Sequence, residues 1–216
     1  MTEQQNILVI LGHPGANSLC AGMARAYADG AQHAGATVRF LDVGQLAFNP
    51  LFQGYGADQP LEPDLLAAQA DITWAHHLVW VYPIWWGAMP ALLKGFIDRT
   101  FLPGYAFKYR KGSSLWDKLL AGRSAELLVT MDSPPWYFRW VTRMPGHHQM
   151  KKAILEFCGI RPVRVHSFGP VRSASAEQLA LWVEKARQLG LRQGARAAQG
   201  QPRPTPVTSS PSSPSR

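Results

Sequence analysis

Short apolar runs of strand length recur along the chain, separated by stretches in which apolar residues return at helical spacing. Asn6 to Leu11 (NILVIL), Thr37 to Asp42 (TVRFLD), His77 to Tyr82 (HLVWVY), Ala125 to Met131 (AELLVTM) and Pro162 to Ser167 (PVRVHS) read as five strands. Near-continuous apolar character is what a parallel strand buried on both faces requires. Between them, one helix is capped by Asn17 or Ser18, runs to about His33 and stops at Gly35. A second covers Pro63 to Ala70 and a third Pro90 to Phe101, where proline suits a first turn. A fourth runs from about Gln149 to Phe157, ended by Gly159, and a fifth from Ala176 to Leu189, ended by Gly190. This alternation predicts a single α/β domain over residues 1–192 with a doubly wound parallel sheet. Spacing leaves the strand order open, although handedness rules reduce it to a few choices.

From Gln193 onward the sequence is rich in Pro, Ser and Gln and poor in large apolar residues, so residues 193–216 are expected to be a disordered tail. The 216 residues, 46% of them hydrophobic, suffice for one packed core. The formal charge of +8 comes from scattered basic residues rather than a run, and no recognised module supports nucleic-acid binding. Two cysteines, Cys20 and Cys158, argue against a disulfide scaffold and for a reducing compartment, so a cytoplasmic location is expected. The amino-terminal residues lack the basic and apolar regions of a signal peptide, and no run approaches the roughly 20 apolar residues of a membrane span. His76-His77 and His147-His148 are adjacent pairs that present no shared ligand face, so no metal site is expected. No G-x-S-x-G elbow is present to suggest a hydrolase.

In doubly wound sheets, ligands sit beyond the carboxyl ends of the strands. The first strand ends in Gly12-His13-Pro14-Gly15-Ala16-Asn17-Ser18 and leads directly into a helix, where free N–H groups and the positive dipole end converge on an anion-binding position. His13, Asn17 and Ser18 have side chains that can donate to a phosphate; an ordinary turn with a helix cap is the other reading. The spacing matches neither G-x-x-x-x-G-K-[ST] nor G-x-G-x-x-G. The third strand runs into Tyr82-Pro83-Ile84-Trp85-Trp86-Gly87-Ala88-Met89-Pro90, whose two tryptophans suit a planar ligand such as an isoalloxazine ring, or else pack beneath the next helix or across a subunit boundary.

Taken together, His13-Pro14, Asn17-Ser18 and the run from Tyr82 through Leu92-Leu93-Lys94-Gly95-Phe96-Ile97-Asp98-Arg99-Thr100-Phe101 resemble the NAD(P)H:quinone oxidoreductase family, which includes drug-activity modulators and ancillary subunits of potassium efflux. The likeness covers about residues 5–190, and Gly104-Tyr105-Ala106-Phe107 also looks like the family. It implies a flavodoxin-like five-stranded sheet in the order 2-1-3-4-5 and a bound flavin, FMN in preference to FAD. His13, Asn17 and Ser18 would then bind the flavin phosphate beside the Leu19 and Cys20 amides, and Pro83, Ile84, Trp85, Trp86 and Gly87 would hold the ring. After the fourth strand the family commonly shows Thr-Thr-Gly-Gly where this chain has Thr130-Met131-Asp132-Ser133-Pro134-Pro135, so stiff prolines without amide donors replace flexible glycines. Thr130 and the amides of Met131, Asp132 and Ser133 are carried over as flavin contacts.

The segment Trp136-Tyr137-Phe138-Arg139-Trp140-Val141-Thr142-Arg143-Met144-Pro145-Gly146-His147-His148 corresponds to the family's loop over the ring, with Tyr137 and His147 as the expected catalytic contacts to the acceptor. Its aromatics and arginines also suit a homodimer interface, and the same segment permits peripheral contact with a membrane surface. The resemblance implies an enzyme in which NAD(P)H delivers hydride through the flavin to a quinone-like acceptor by a ping-pong route. The alternative is a flavin-bearing regulatory subunit of a membrane transporter.

Overall fold

The computed structural model describes residues 4–55 and 57–196. In chain order these form β1 (Asn6–Leu11), α1 (Leu19–His33), β2 (Thr37–Asp42), a 3-10 turn (Val43–Gln45), α2 (Pro63–Trp74), β3 (His77–Pro83), α3 (Ala91–Thr100), β4 (Phe107–Tyr109), β5 (Trp116–Lys118), β6 (Ser124–Thr130), α4 (Pro135–Trp140), α5 (Pro145–His148), a π-helical stretch (Gln149–Leu155), β7 (Val163–Phe168) and α6 (Ala176–Arg196). Five strands pair in parallel in the order β2-β1-β3-β6-β7, which is the expected 2-1-3-4-5 sheet with a small hairpin inserted. That hairpin, β4 with β5, pairs Phe107 with Lys118 and Tyr109 with Trp116 in antiparallel register.

All seven residues of β3 and all seven of β6 are buried, as central strands covered on both faces must be. Alternate side chains feed two cores. Leu8, Ile10, Leu78, Trp80, Leu127 and Val129 face α2 and α3, with Leu65, Leu93 and Phe96 against them. Ile7, Val9, Val79, Val81 and Leu128 face α1 and α6, with Met23, Tyr27 and Ala186 against them. The long connection after the 3-10 turn is tied down by Arg99, which is 1% exposed. Its guanidinium donates to the Asn49 carbonyl at 2.6 Å and the Pro60 carbonyl at 3.0 Å, and meets the Glu62 carboxylate at 2.8 Å. A buried arginine whose two terminal nitrogens are both bonded in this way holds a loop that has no regular structure of its own.

Several boundaries differ from those read in the sequence. α6 does not stop at Gly190 but continues to Arg196, and Gln193, placed in the tail by composition, is buried and donates to Gln5 at 3.3 Å. Residues 197–216, the rest of the expected tail, lie outside the described residues. α6 runs past Gly190 because of packing: a Cβ on Gly190 would run into the Tyr27 carbonyl of α1, one on Gly30 into the Arg187 carbonyl, and one on Gly194 would come within 2.6 Å of the Ala31 oxygen. These glycines therefore mark a close helix crossing rather than a helix end. The expected helix from Gln149 begins earlier, as α5, and passes through a π-helical segment before Gly159 ends it with φ of 99°. α4, read in the sequence only as an aromatic stretch, is a helix begun by prolines.

Replacing Gly190 by Ala should cost stability even though alanine favours helices by about 1 kcal/mol, because overpacking costs about 1–3 kcal/mol. The expected readout is a lower thermal midpoint for Gly190→Ala; an unchanged or higher one would show that α1 and α6 do not approach so closely.

Candidate functional site

The loop leaving β1 is folded on itself before α1 begins. The Gly15 amide donates to His13 Nδ1 at 2.9 Å, which directs the other ring nitrogen away from this turn. The 3-10 turn braces the loop from below, since a Cβ on Gly44 would lie 2.9 Å from the Pro14 oxygen, and the Asp42 carboxylate accepts the Gly44 amide at 3.0 Å. Ser18 caps α1, its hydroxyl accepting from the Ala21 amide at 3.2 Å. The first bond within the helix runs from the Gly22 amide to the Ser18 carbonyl, so the Leu19 and Cys20 amides have no helical acceptor. No acidic residue occupies the first turn of α1. The positive end of the helix is therefore left open to an anion.

The loop after β3 closes as a tight hairpin in which the Trp85 amide donates to the Ala88 carbonyl at 2.9 Å and the Ala88 amide returns the bond at 3.0 Å. Its two central residues, Trp86 at φ of 52° and Gly87 at φ of 78°, are both left-handed, as in a type I′ turn. A tryptophan held there costs about 1–3 kcal/mol, and the Trp86 side chain is fully exposed. Trp85 meets His13 edge to face, with ring centroids 5.5 Å apart, so the first and third loops touch. The Ile84 amide is taken by the Thr130 carbonyl at 2.7 Å and the Met131 amide by the Phe168 carbonyl at 2.9 Å, both extending the sheet.

These loops enclose an open cleft of about 180 Å³ at the carboxyl ends of the strands. It is lined by His13, Ser18, Leu19 and Cys20 from the first loop, Pro83, Ile84 and Trp85 from the third, Thr130, Met131 and Asp132 after β6, and Val171 after β7. Inside it the Cys20 thiol lies 3.3 Å from the Thr130 hydroxyl, and burial pushes the thiol up to about 11. Cys20 is thus a protonated filler at neutral pH, as a small apolar residue would be. Asp132 is the single anionic side chain of the lining, and its carboxylate is held by the Arg172 amide at 2.9 Å.

Ten of the expected flavin contacts thus share one cleft, while Asn17, Trp86, Gly87 and Ser133 do not line it. Of the amides expected from the loop after β6, that of Met131 is already committed to the sheet. Neither expected catalytic residue reaches the cleft. His147 is buried in α5, its Nε2 2.9 Å from the Ser167 hydroxyl and its ring edge to face with Phe138 at 5.0 Å. Tyr137 stands half-exposed on α4, its ring against Trp136. Val171 was not read from the sequence; its amide bond to the Met131 carbonyl at 3.0 Å brings the loop after β7 to the cleft, and the rule that ligands sit beyond strand ends is the signal that points there.

A family model for the flavodoxin-like fold matches residues 5–189. The chain belongs to this flavodoxin-like family. It is 28% identical over 189 residues to an uncharacterized NAD(P)H oxidoreductase of Haemophilus influenzae, covering 85% of this chain and 93% of that protein. It is also 28% identical over 169 residues to the ribosyldihydronicotinamide dehydrogenase [quinone] of Rattus norvegicus, covering 68% and 70% respectively. Among solved structures, a protein of Streptococcus mutans UA159 superposes with a TM-score of 0.75 at 28% identity, covering 87% of this chain and all of that one. Within this flavodoxin-like chain the donor set matches a flavin: an acid-free helix terminus for a phosphate, and Trp85 with the Ile84 and Pro83 side chains for a planar ring.

Two histidines away from the cleft contribute to the response to acid. Burial pulls both His77 and His147 down to about 4, so each is neutral in the folded chain well below the ordinary histidine value of 6.5. Unfolding lets both take up protons in that interval, so their contribution to stability is complete above about pH 6.5 and is lost as pH falls toward 4. The urea midpoint should therefore fall through this window, and His147→Gln should flatten the slope. A midpoint independent of pH from 6.5 to 4 would contradict the buried, neutral placement.

Proposed function

We propose that this chain is a flavin-dependent oxidoreductase that takes hydride from NAD(P)H and gives it to a quinone-type acceptor, with both substrates using the same cleft in turn. The observation that carries this reading is the meeting of three loops in one cleft, where the open amides of Leu19 and Cys20 face the side chains of Trp85 and Thr130. Membership of the flavodoxin-like family and the names of the Haemophilus and rat relatives support an NAD(P)H-dependent oxidoreductase. The quinone comes from the rat relative's name and from the sequence signature at residues 82–101.

A flavin held in the cleft would supply two-electron redox chemistry. The residues do the rest. The Leu19 and Cys20 amides and the Ser18 and His13 side chains bind its phosphate. Trp85, Ile84 and Pro83 hold the ring flat and keep water from one side. FMN is favoured over FAD because the loop after β6, with its Met131 amide committed and its prolines leading into α4, offers few donors for a second nucleotide. His147, turned toward Ser167, and Tyr137, set against Trp136 on α4, both lie outside the cleft lining, so neither is assigned the role of donating to the acceptor oxygen. Two free, buried cysteines suit the reducing environment of the cytoplasm.

Initial-rate measurements with NADPH and menadione test the shared cleft. Parallel double-reciprocal lines are expected; intersecting lines would mean that both substrates bind at once and would overturn the ping-pong reading. Ser18→Ala removes a cap worth about 1 kcal/mol together with a phosphate donor, so flavin should dissociate at least roughly tenfold more readily, about 1.4 kcal/mol. An unchanged flavin affinity would place the phosphate elsewhere.

A further inference from the structure

The proposed reaction leaves α4 with an outward face that nothing in the described chain covers. Trp136 and Trp140 lie one helical turn apart on the same side, 63% and 72% exposed, while Phe138 points inward at 4% and anchors the helix. The Arg139 guanidinium sits over the Trp140 ring, 5.4 Å from its centroid, and Val141 continues the exposed apolar surface. The end of the helix is fixed by two successive left-handed residues, Arg143 at φ of 58° and Met144 at φ of 52°, and by the Met144 amide bonding to the Phe138 carbonyl at 2.9 Å. These are not glycines, so the backbone bears strain to hold this shape.

The charge along the segment that holds this helix, between Asp132 and Glu156, is of one sign. No Asp or Glu occurs from Ser133 to Leu155, a stretch that holds Arg139, Arg143, Lys151 and Lys152. Lys152 is paired with Glu156 at 2.9 Å, whereas Arg139, Arg143 and Lys151 have no ion pair among the described residues. A symmetric contact with a second copy would bring this same acid-free segment to both sides of the interface, where it offers its arginines no carboxylate of its own. Tryptophan, with an apolar ring and one N–H donor, and arginine, with a long apolar stem, are instead suited together to the boundary between lipid headgroups and acyl chains.

We propose that α4 docks this protein peripherally on an anionic lipid bilayer, with Trp136 and Trp140 entering the headgroup region and Arg139 and Arg143 meeting lipid phosphates. No helix among the described residues is long and apolar enough to cross a membrane, so the contact is a surface one. α4 is joined to cleft residue Asp132 through Ser133 and Pro134, so docking brings the mouth of the cleft toward the phase in which apolar quinones dissolve; this last consequence rests on the function proposed above, and the docking does not.

The test is flotation of the full-length protein with vesicles of phosphatidylcholine alone and with vesicles about one-third phosphatidylglycerol. Wild type should float with the anionic vesicles only and be released by salt. Arg139→Ser with Arg143→Ser should weaken binding roughly fivefold per arginine. Trp136→Ala with Trp140→Ala should weaken it at least roughly tenfold with charge unchanged. Thermal midpoints near that of wild type verify that the variants fold. Three results would overturn the proposal: no flotation of wild type, flotation equal with neutral vesicles, or flotation indifferent to both double variants. If wild type ignores vesicles while the tryptophan variant alone turns a dimer into a monomer on sedimentation, the face belongs to a second copy instead. Solution turnover of menadione, measured alongside, reports on the proposed reaction separately, because none of the four substituted residues lines the cleft.

Discussion

All five strands of the central sheet run in one direction, and that constraint arranges everything else. It forces every connection to cross back over a face, which buries β3 and β6 completely and leaves the strand exits on a single edge. It also points the amino end of α1 at that edge, with amides at Leu19 and Cys20 that no part of the helix can satisfy. A cleft bounded by such amides on one side and by Trp85 on the other follows from the topology. Its chemical character follows from the residue types that the first, third and sixth strands deliver there.

Rigidity in this molecule comes from close approach and from filled polar contacts. The α1 and α6 helices cross on Gly30, Gly190 and Gly194, where backbone meets backbone. Arg99 gathers the connection between the 3-10 turn and α2 through two carbonyls and a carboxylate. On β6, burial alone would raise the Glu126 carboxyl, but His166 at 3.9 Å, His77 and the Tyr27 hydroxyl at 2.9 Å outweigh it and hold the group at about 2. Against this frame the strained turn at Trp86 and the left-handed pair at Arg143 and Met144 stand out, and both flank surfaces assigned to ligand or lipid.

Much of the fold was legible because its signals are local. β1 and β2 begin and end where the apolar runs do, and Ser18 caps α1 as a serine before a helical pattern should. The cleft was legible for a different reason: the residues that leave parallel strands converge whatever the loops contain, so His13, Ser18, Trp85 and Thr130 could be paired without coordinates. What stayed hidden depends on tertiary contact. Gly190 looks like a helix stop because glycine often is one, and only the position of the Tyr27 carbonyl reveals a crossing. The β4 and β5 strands are three residues each, too short for alternation to register. His147 is expected at the acceptor only through the family resemblance, and its burial against Ser167 and Phe138 is a packing fact.

The cleft between the α1 terminus and Trp85 is built to hold a flavin. Titration of flavin-free protein with FMN, followed by quenching of flavin fluorescence and by the shift in its visible absorption, tests it most directly. Saturable binding at one FMN per chain, weakened by Ser18→Ala and by Trp85→Ala, is the predicted result. A protein that purifies colourless and leaves the spectra of both FMN and FAD unchanged would contradict the account.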